Sequence, residues 1–118
     1  LGQLLGDKLV DQGIQADVIL PIPAPPLRRL LRAGNMTEVL AEGVSQRLKL
    51  RRLTGALCFV RSIRKQSNLK PAQRRRNVRN SMTVSRTHDF SGARVLVIDD
   101  VLTTGATADE AARALLAA

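Results

Sequence analysis

Arg94-Val-Leu-Val-Ile-Asp-Asp-Val-Leu-Thr-Thr-Gly-Ala-Thr107 is the stretch whose reading decides the fold. Residues 94–99 form a run of β-branched and aliphatic side chains, the pattern of a strand covered on both faces. Two adjacent carboxylates, Asp99 and Asp100, end the run, and a turn of small and hydroxyl-bearing residues follows. Residues 107–118 then read as a helix, with Thr107 and Glu110 at capping-box spacing. In open α/β sheets, ligands gather at the carboxyl ends of the strands. The turn from Thr103 through Thr104, Gly105 and Ala106 to Thr107 brings backbone N–H groups and hydroxyls to a helix N-terminus, a cradle for a phosphate. Gly105 admits a positive φ or the close approach of an anion. Twin acids beside such a cradle suit a sugar phosphate, the carboxylates accepting hydrogen bonds from vicinal hydroxyls.

Outward from this stretch, strands alternate with helices. Residues 1–10 carry apolar side chains at helical spacing, and residues 17–22 read as a buried strand running into Pro21 and Pro23. Residues 23–35 form a loop rich in proline and arginine. Residues 36–50 read as a helix with Thr37 as its N-cap. Residues 55–60 are a second apolar strand, 62–70 a polar, basic loop, and 71–80 a short helix opened by Pro71. Residues 81–85 are a weak strand. The alternation predicts one α/β domain over residues 1–118, with a mainly parallel, twisted sheet flanked by helices.

A chain of 118 residues suffices for one such domain. It begins without methionine and ends in an apolar helical run, so it reads as a piece of something longer. One cysteine, Cys58, excludes an internal disulfide and a multi-cysteine metal site, and points to a reduced, cytoplasmic setting. No apolar run reaches the roughly 20 residues of a membrane span. Cys58 reads as a buried thiol and His88 as a loop residue. Nineteen Lys and Arg against ten Asp and Glu give a net charge of +9. Such a field attracts polyanions, either nucleic acid or a small polyphosphate. With two phenylalanines and no Trp or Tyr, a base-stacking platform is not supported. Neither G-x-x-x-x-G-K-[ST] nor G-x-G-x-x-G occurs, and Val101 stands where an Asp-x-Asp nucleophile would need its second acid.

Four hydrophobic residues, two acids and a T-G-x-T turn resemble the phosphoribosyl-pyrophosphate (PRPP) motif of type I phosphoribosyltransferases. Residues 17–24 (DVILPIPA) resemble that family's first strand and pyrophosphate loop, which would be Pro21, Ile22, Pro23 and Ala24. Gln66 to Leu69, followed by residues 74–79 (RRRNVR), resembles a signature of ComF-like proteins, the GntX and competence-protein group. Arg32, Asn35, Glu38, Leu40 and Ala41 match part of that group's R-G-F-N-Q-x-E-L-L-A stretch; Ala33, Gly34 and Met36 depart from it, and Pro25 stands where a His is common after the pyrophosphate loop. A zinc-binding module before the domain and a strand after its last helix belong to the group's pattern and are not in this chain.

The resemblance implies that Asp99 and Asp100 bind the ribose hydroxyls and, through water, Mg²⁺, and that residues 103–107 bind the 5′-phosphate. It implies displacement of pyrophosphate from C1 of PRPP by a nitrogen nucleophile, a pentosyl transfer. Arg64 and Lys65, in a loop closing over the site, would act with the twin acids in catalysis. Arg28, Arg32, Arg61, Arg74 and Arg76 would stabilise the pyrophosphate. Two other readings stay open: a non-catalytic competence or DNA-utilisation protein binding nucleic acid through its basic face, and a PRPP- or nucleotide-sensing regulator. The acceptor and the oligomeric state are also open, although such folds often form homodimers.

Overall fold

The computed structural model describes residues 2–24, 36–63, 69–99 and 105–118. In chain order the elements are α1 (Gly2–Asp11), β1 (Val18–Pro21), α2 (Met36–Leu48), β2 (Arg51–Arg52), β3 (Leu57–Phe59), α3 (Pro71–Val78), β4 (Met82–Val84), β5 (Val95–Ile98) and α4 (Ala106–Ala117). Strands β2, β1 and β5 form a parallel sheet with β1 in the middle, and β3 pairs antiparallel with β4. This is the α/β class, a parallel sheet flanked by helices, that the alternating pattern predicts.

The sheet sorts its side chains by the two-residue period of a strand. Ile19 of β1 packs with Leu40, Ala41 and Val44 of α2 and with Ile98; Leu5 and Leu9 of α1 close that side. Leu20 and Ile22 face the other way, against Ala56, Leu57, Met82, Ala111 and Ala114. Strand β5 alternates in step, with Val95 and Val97 joining the second cluster and Leu96 and Ile98 the first. Helices α1 and α2 thus cover one face, and α4 with the β3–β4 pair covers the other. Residues 94–99 are less enclosed than their composition predicts: Val95, Leu96 and Val97 are half-buried, and only Ile98 is fully covered.

Helices α1 and α2 run in the same direction, with Gly2 against Gly43 and Gly6 against Arg47. A Cβ on Gly43 would stand 2.6 Å from the Gly2 Cα, so the two backbones touch only because both residues lack a side chain. Arg47 pairs with Asp7 across the same seam. At the sheet's opening end, the Arg94 N–H donates to Asp17 Oδ2 at 2.7 Å and the Asp17 N–H returns a bond to the Arg94 carbonyl at 2.8 Å. The Arg94 backbone bond, reinforced by its guanidinium, holds the Asp17 carboxyl below the ordinary aspartate range.

Several local expectations change. Helix α2 stops at Leu48 because Lys49 takes a left-handed φ of 55°, and Ser45 Oγ donates to the Leu50 carbonyl at 2.6 Å. Thr37 lies buried inside the first turn of α2 and not ahead of it. Strand β2 is two arginines with no strand pattern; its backbone pairs with Val18 and Ile19, and the Leu53 N–H continues the ladder to the Ile19 carbonyl at 3.0 Å. The short helix after Pro71 forms, and Gln73 Oε1 accepts the Lys70 N–H at 2.9 Å ahead of its first turn.

The Thr107–Glu110 capping box does not form. Helix α4 starts at Ala106 behind Gly105, and no side chain caps it. Glu110, 4% exposed, turns toward the turn between α3 and β4. Its carboxylate accepts the Asn80 N–H at 3.0 Å, the Met82 N–H at 2.8 Å and two guanidinium bonds from Arg113 at 2.7 and 2.9 Å. Arg113 Nη2 also donates to the Met82 carbonyl at 2.8 Å. One buried acid therefore joins α4 to β4.

Burial opposes ionisation of Glu110, but the Arg113 guanidinium and the two backbone N–H groups outweigh it and hold the pKa below the ordinary value. A depressed folded-state pKa adds stability that is complete above the unfolded glutamate pKa of about 4.3 and is lost as pH falls through the folded value. Glu110→Gln should lose about 2–4 kcal/mol at neutral pH, because bonds to a charged acceptor are lost and a buried partner is left unmatched. Urea unfolding of wild type and variant at several pH values checks this, with the difference expected to shrink below pH of about 4.

Candidate functional site at the carboxyl rim of the sheet

Because β1 and β5 run parallel with Pro21 opposite Ile98, both strands end at one rim. The Ile22 N–H donates to the Ile98 carbonyl at 2.8 Å, which carries the pairing one residue past β1. Residues 22–24 consequently leave the sheet beside Asp99. Of the expected pyrophosphate loop, Pro21 and Ile22 are buried and act as the end of the strand, while Pro23 and Ala24 are half-buried at the rim. Asp99 is half-buried at the end of β5.

Gly105 takes φ 78° and ψ 4°, a left-handed conformation. A Cβ built there would meet nothing within 4 Å, so the glycine serves the backbone angle and not a tight fit. Its carbonyl accepts the Asp109 N–H at 2.8 Å, the first bond of α4. The N–H groups of the following turn have no partner further back in the helix, the ordinary condition of a helix head and the basis of anion attraction there. Ala106 is buried and Thr107 half-buried within that turn.

The rim has a third wall that its residues do not announce. Arg52 Nη1 donates to Glu38 Oε2 at 3.2 Å and to the Glu38 carbonyl at 3.3 Å, and Thr54 Oγ1 donates to the same carboxylate at 3.1 Å. The head of α2 is thereby tied to the end of β2. Glu38 falls in the stretch that resembles the ComF-like pattern, and here its carboxylate holds two elements together.

The basic residues expected around a pyrophosphate separate into different tasks. Arg61 Nη2 donates to the carbonyls of Asn77 at 2.8 Å and Arg79 at 2.7 Å, so its guanidinium covers the open carbonyl end of α3. Arg74 Nε donates to the Leu69 carbonyl at 2.9 Å. Arg76 is exposed and faces α4. Arg28, Arg32, Arg64, Lys65, Asp100, Thr103 and Thr104 lie outside the described residues. Among the described residues, no three His, Cys, Asp or Glu side chains lie close enough to hold a metal ion by themselves. No described helix is long and apolar enough to cross a membrane. Cys58 is half-buried, its thiol against the Gly55 carbonyl at 3.2 Å, and His88 stacks on Phe90 with ring centroids 5.9 Å apart.

Glu110, Arg113 and the Glu38–Arg52 pair are the functional supports that sequence patterning missed. A signal existed for the first: Glu110 sits on the helical face that also carries Ala106, Ala111 and Ala114, where a lone acid needs a partner.

Residues 36–118 match the phosphoribosyl transferase domain. Competence protein F of Haemophilus influenzae is 32% identical over 101 residues, covering 84% of this chain and 44% of that protein. DNA utilization protein YhgH of Escherichia coli O157:H7 is 30% identical over 100 residues, covering 85% of this chain and 43% of that protein. The chain spans less than half the length of these curated relatives.

The left-handed Gly105 makes a graded series the suitable check on the helix head. Gly105→Asn should cost least, since Asn tolerates this conformation, and Gly105→Ala about 1–2 kcal/mol, with Gly105→Val worse. Urea unfolding measures the order; because no neighbour stands within 4 Å, loss should follow backbone preference and not side-chain size alone.

Proposed function

The chain belongs to the phosphoribosyl transferase domain family as a ComF-like member, and from that premise we propose that its carboxyl rim binds PRPP and transfers the phosphoribosyl group. The observation that carries this reading is the register of β1 with β5. It sets Asp99 beside residues 22–24, while Gly105 opens α4 only six positions after Asp99 in the chain.

In this reading Asp99 and Asp100 accept hydrogen bonds from the ribose hydroxyls, and residues 103–107 hold the 5′-phosphate at the helix head. A nitrogen nucleophile forms a bond to C1 as the bond from C1 to the pyrophosphate oxygen breaks. The nitrogen gives up a proton and pyrophosphate leaves. The transition state resembles an oxocarbenium ion, so the protein acts by positioning the sugar and by charge. Arg64 and Lys65 supply positive charge from the loop after β3, and closing that loop excludes water.

The donor set suits Mg²⁺ held mainly by substrate oxygens. In this reading Asp99, at the end of β5, and Asp100 next in the chain would reach the ion through water and not as a closed protein cage, as is common for this ion on phosphate substrates. Bound there, it would neutralise the pyrophosphate charge.

A second reading draws on the relatives' names, competence protein and DNA utilization protein, together with the net charge of +9. The chain would then keep the fold and bind nucleic acid without turnover.

Titration with Mg·PRPP separates the two. Asp99→Asn with Asp100→Asn should weaken PRPP binding by at least about 100-fold, from two lost charged contacts at about 1.5–3 kcal/mol each. Unchanged PRPP affinity in that variant, with nucleic-acid binding that falls steeply as salt rises, would favour the second reading. Pyrophosphate release with a panel of amines and nucleobases tests turnover.

A further inference from the structure

Helices α3 and α4 enclose a cleft of about 320 Å³. Arg75, Arg76 and Arg79 line one wall, and Asp109, Glu110 and Arg113 the other. Helical spacing produces both walls. Positions 75, 76 and 79 fall within about 100° of arc, and 109, 110 and 113 recur on one face of α4. Four guanidinium groups thus meet two carboxylates.

The carboxylates are already engaged. Glu110 is buried under Arg113 and two backbone N–H groups, and Asp109 pairs with Arg75 at 3.2 Å. That leaves Arg76 and Arg79, whose exposed side chains have no polar partner among the described residues. Two open guanidinium forks in one concavity match the oxygens of a phosphoryl group, which they grip in pairs. The volume lies at the small end of ligand pockets. Asp109 is exposed on α4 and would repel a polyanion laid along that helix, which favours a compact ligand.

We propose that the α3–α4 cleft, which borders the strand-end rim at Ala106 but presents its own charged groups, is a second anion site, taking the phosphoryl or pyrophosphoryl group of a small phosphate ester through Arg76 and Arg79. Arg76 then serves this cleft and not the rim's pyrophosphate. The site does not depend on PRPP binding at the rim.

Inorganic pyrophosphate, titrated into the intact chain and followed by amide NMR shifts, is the test. Amides of residues 75–79 and 109–113 should shift saturably. Arg76→Ala with Arg79→Ala should weaken that response about ten-fold or more. Arg76→Lys with Arg79→Lys, which keeps the charge but loses the paired grip, should fall between. Arg51→Ala with Arg86→Ala removes the same charge elsewhere and should leave the cleft response intact. So should Asp99→Asn with Asp100→Asn. An equal loss in the Arg51/Arg86 variant would mean a general field, and a loss in the Asp variant would make cleft and rim one site. Tighter saturation of the same amides by a short single-stranded oligonucleotide would assign the cleft to a strand. Each of these three results overturns the proposal.

Discussion

The backbone ladder between Val18–Pro21 and Val95–Ile98, carried on by the Ile22 N–H to the Ile98 carbonyl, positions everything at the rim. Side chains alternate along both strands, so a slip of one residue would send Ile19 and Leu20 to the wrong clusters. It would also move Asp99 away from residues 22–24. The packing that stabilises the fold and the geometry that brings an acid to a loop are therefore one constraint. Asp17 and Arg94 fix the same register at the other end of the strands.

Helix α4 depends on a second tie. Its head offers an uncapped turn behind Gly105, which an anion can use but which gives the helix no side-chain support. The support comes one turn later, where Glu110 and Arg113 clamp β4. Separating the anchor from the head turns the Glu110 carboxylate away from the first turn, where a capping box would have spent it on the Thr107 N–H. The buried acid thus bears on the site without touching it.

The parallel strands were legible because β1 and β5 are apolar runs, and the candidate site was read from the two acids and the glycine-bearing turn that follow one of them. What sequence patterning missed shares one cause. Strand β2 is two arginines held by backbone pairing alone, and Glu38 and Glu110 resemble solvated charges until the fold brings Arg52, Thr54, Asn80, Met82 and Arg113 to them. Except for Arg113, three residues on in α4, those partners lie on other segments, beyond the reach of local spacing. The Glu110 error has the same root: a three-residue spacing satisfied a local rule, and a partner 28 positions away in the chain won.

The net charge of +9 also changes meaning once partners are assigned. Read as a sum, it suggests a continuous surface for polyanions. Yet Arg61 and Arg74 donate to main-chain carbonyls, Arg52, Arg94 and Arg113 bind both carbonyl or amide groups and carboxylates, and Arg47 pairs with Asp7. Such guanidinium groups are construction elements, joining segments whose carbonyls would otherwise face water or each other. Their positive charge still contributes to the distant field, but their hydrogen-bond donors are largely committed. Among the described residues, Arg76 and Arg79 keep open guanidinium groups on one concave site. Charge count alone therefore overstates how much of this basic surface can grip a ligand.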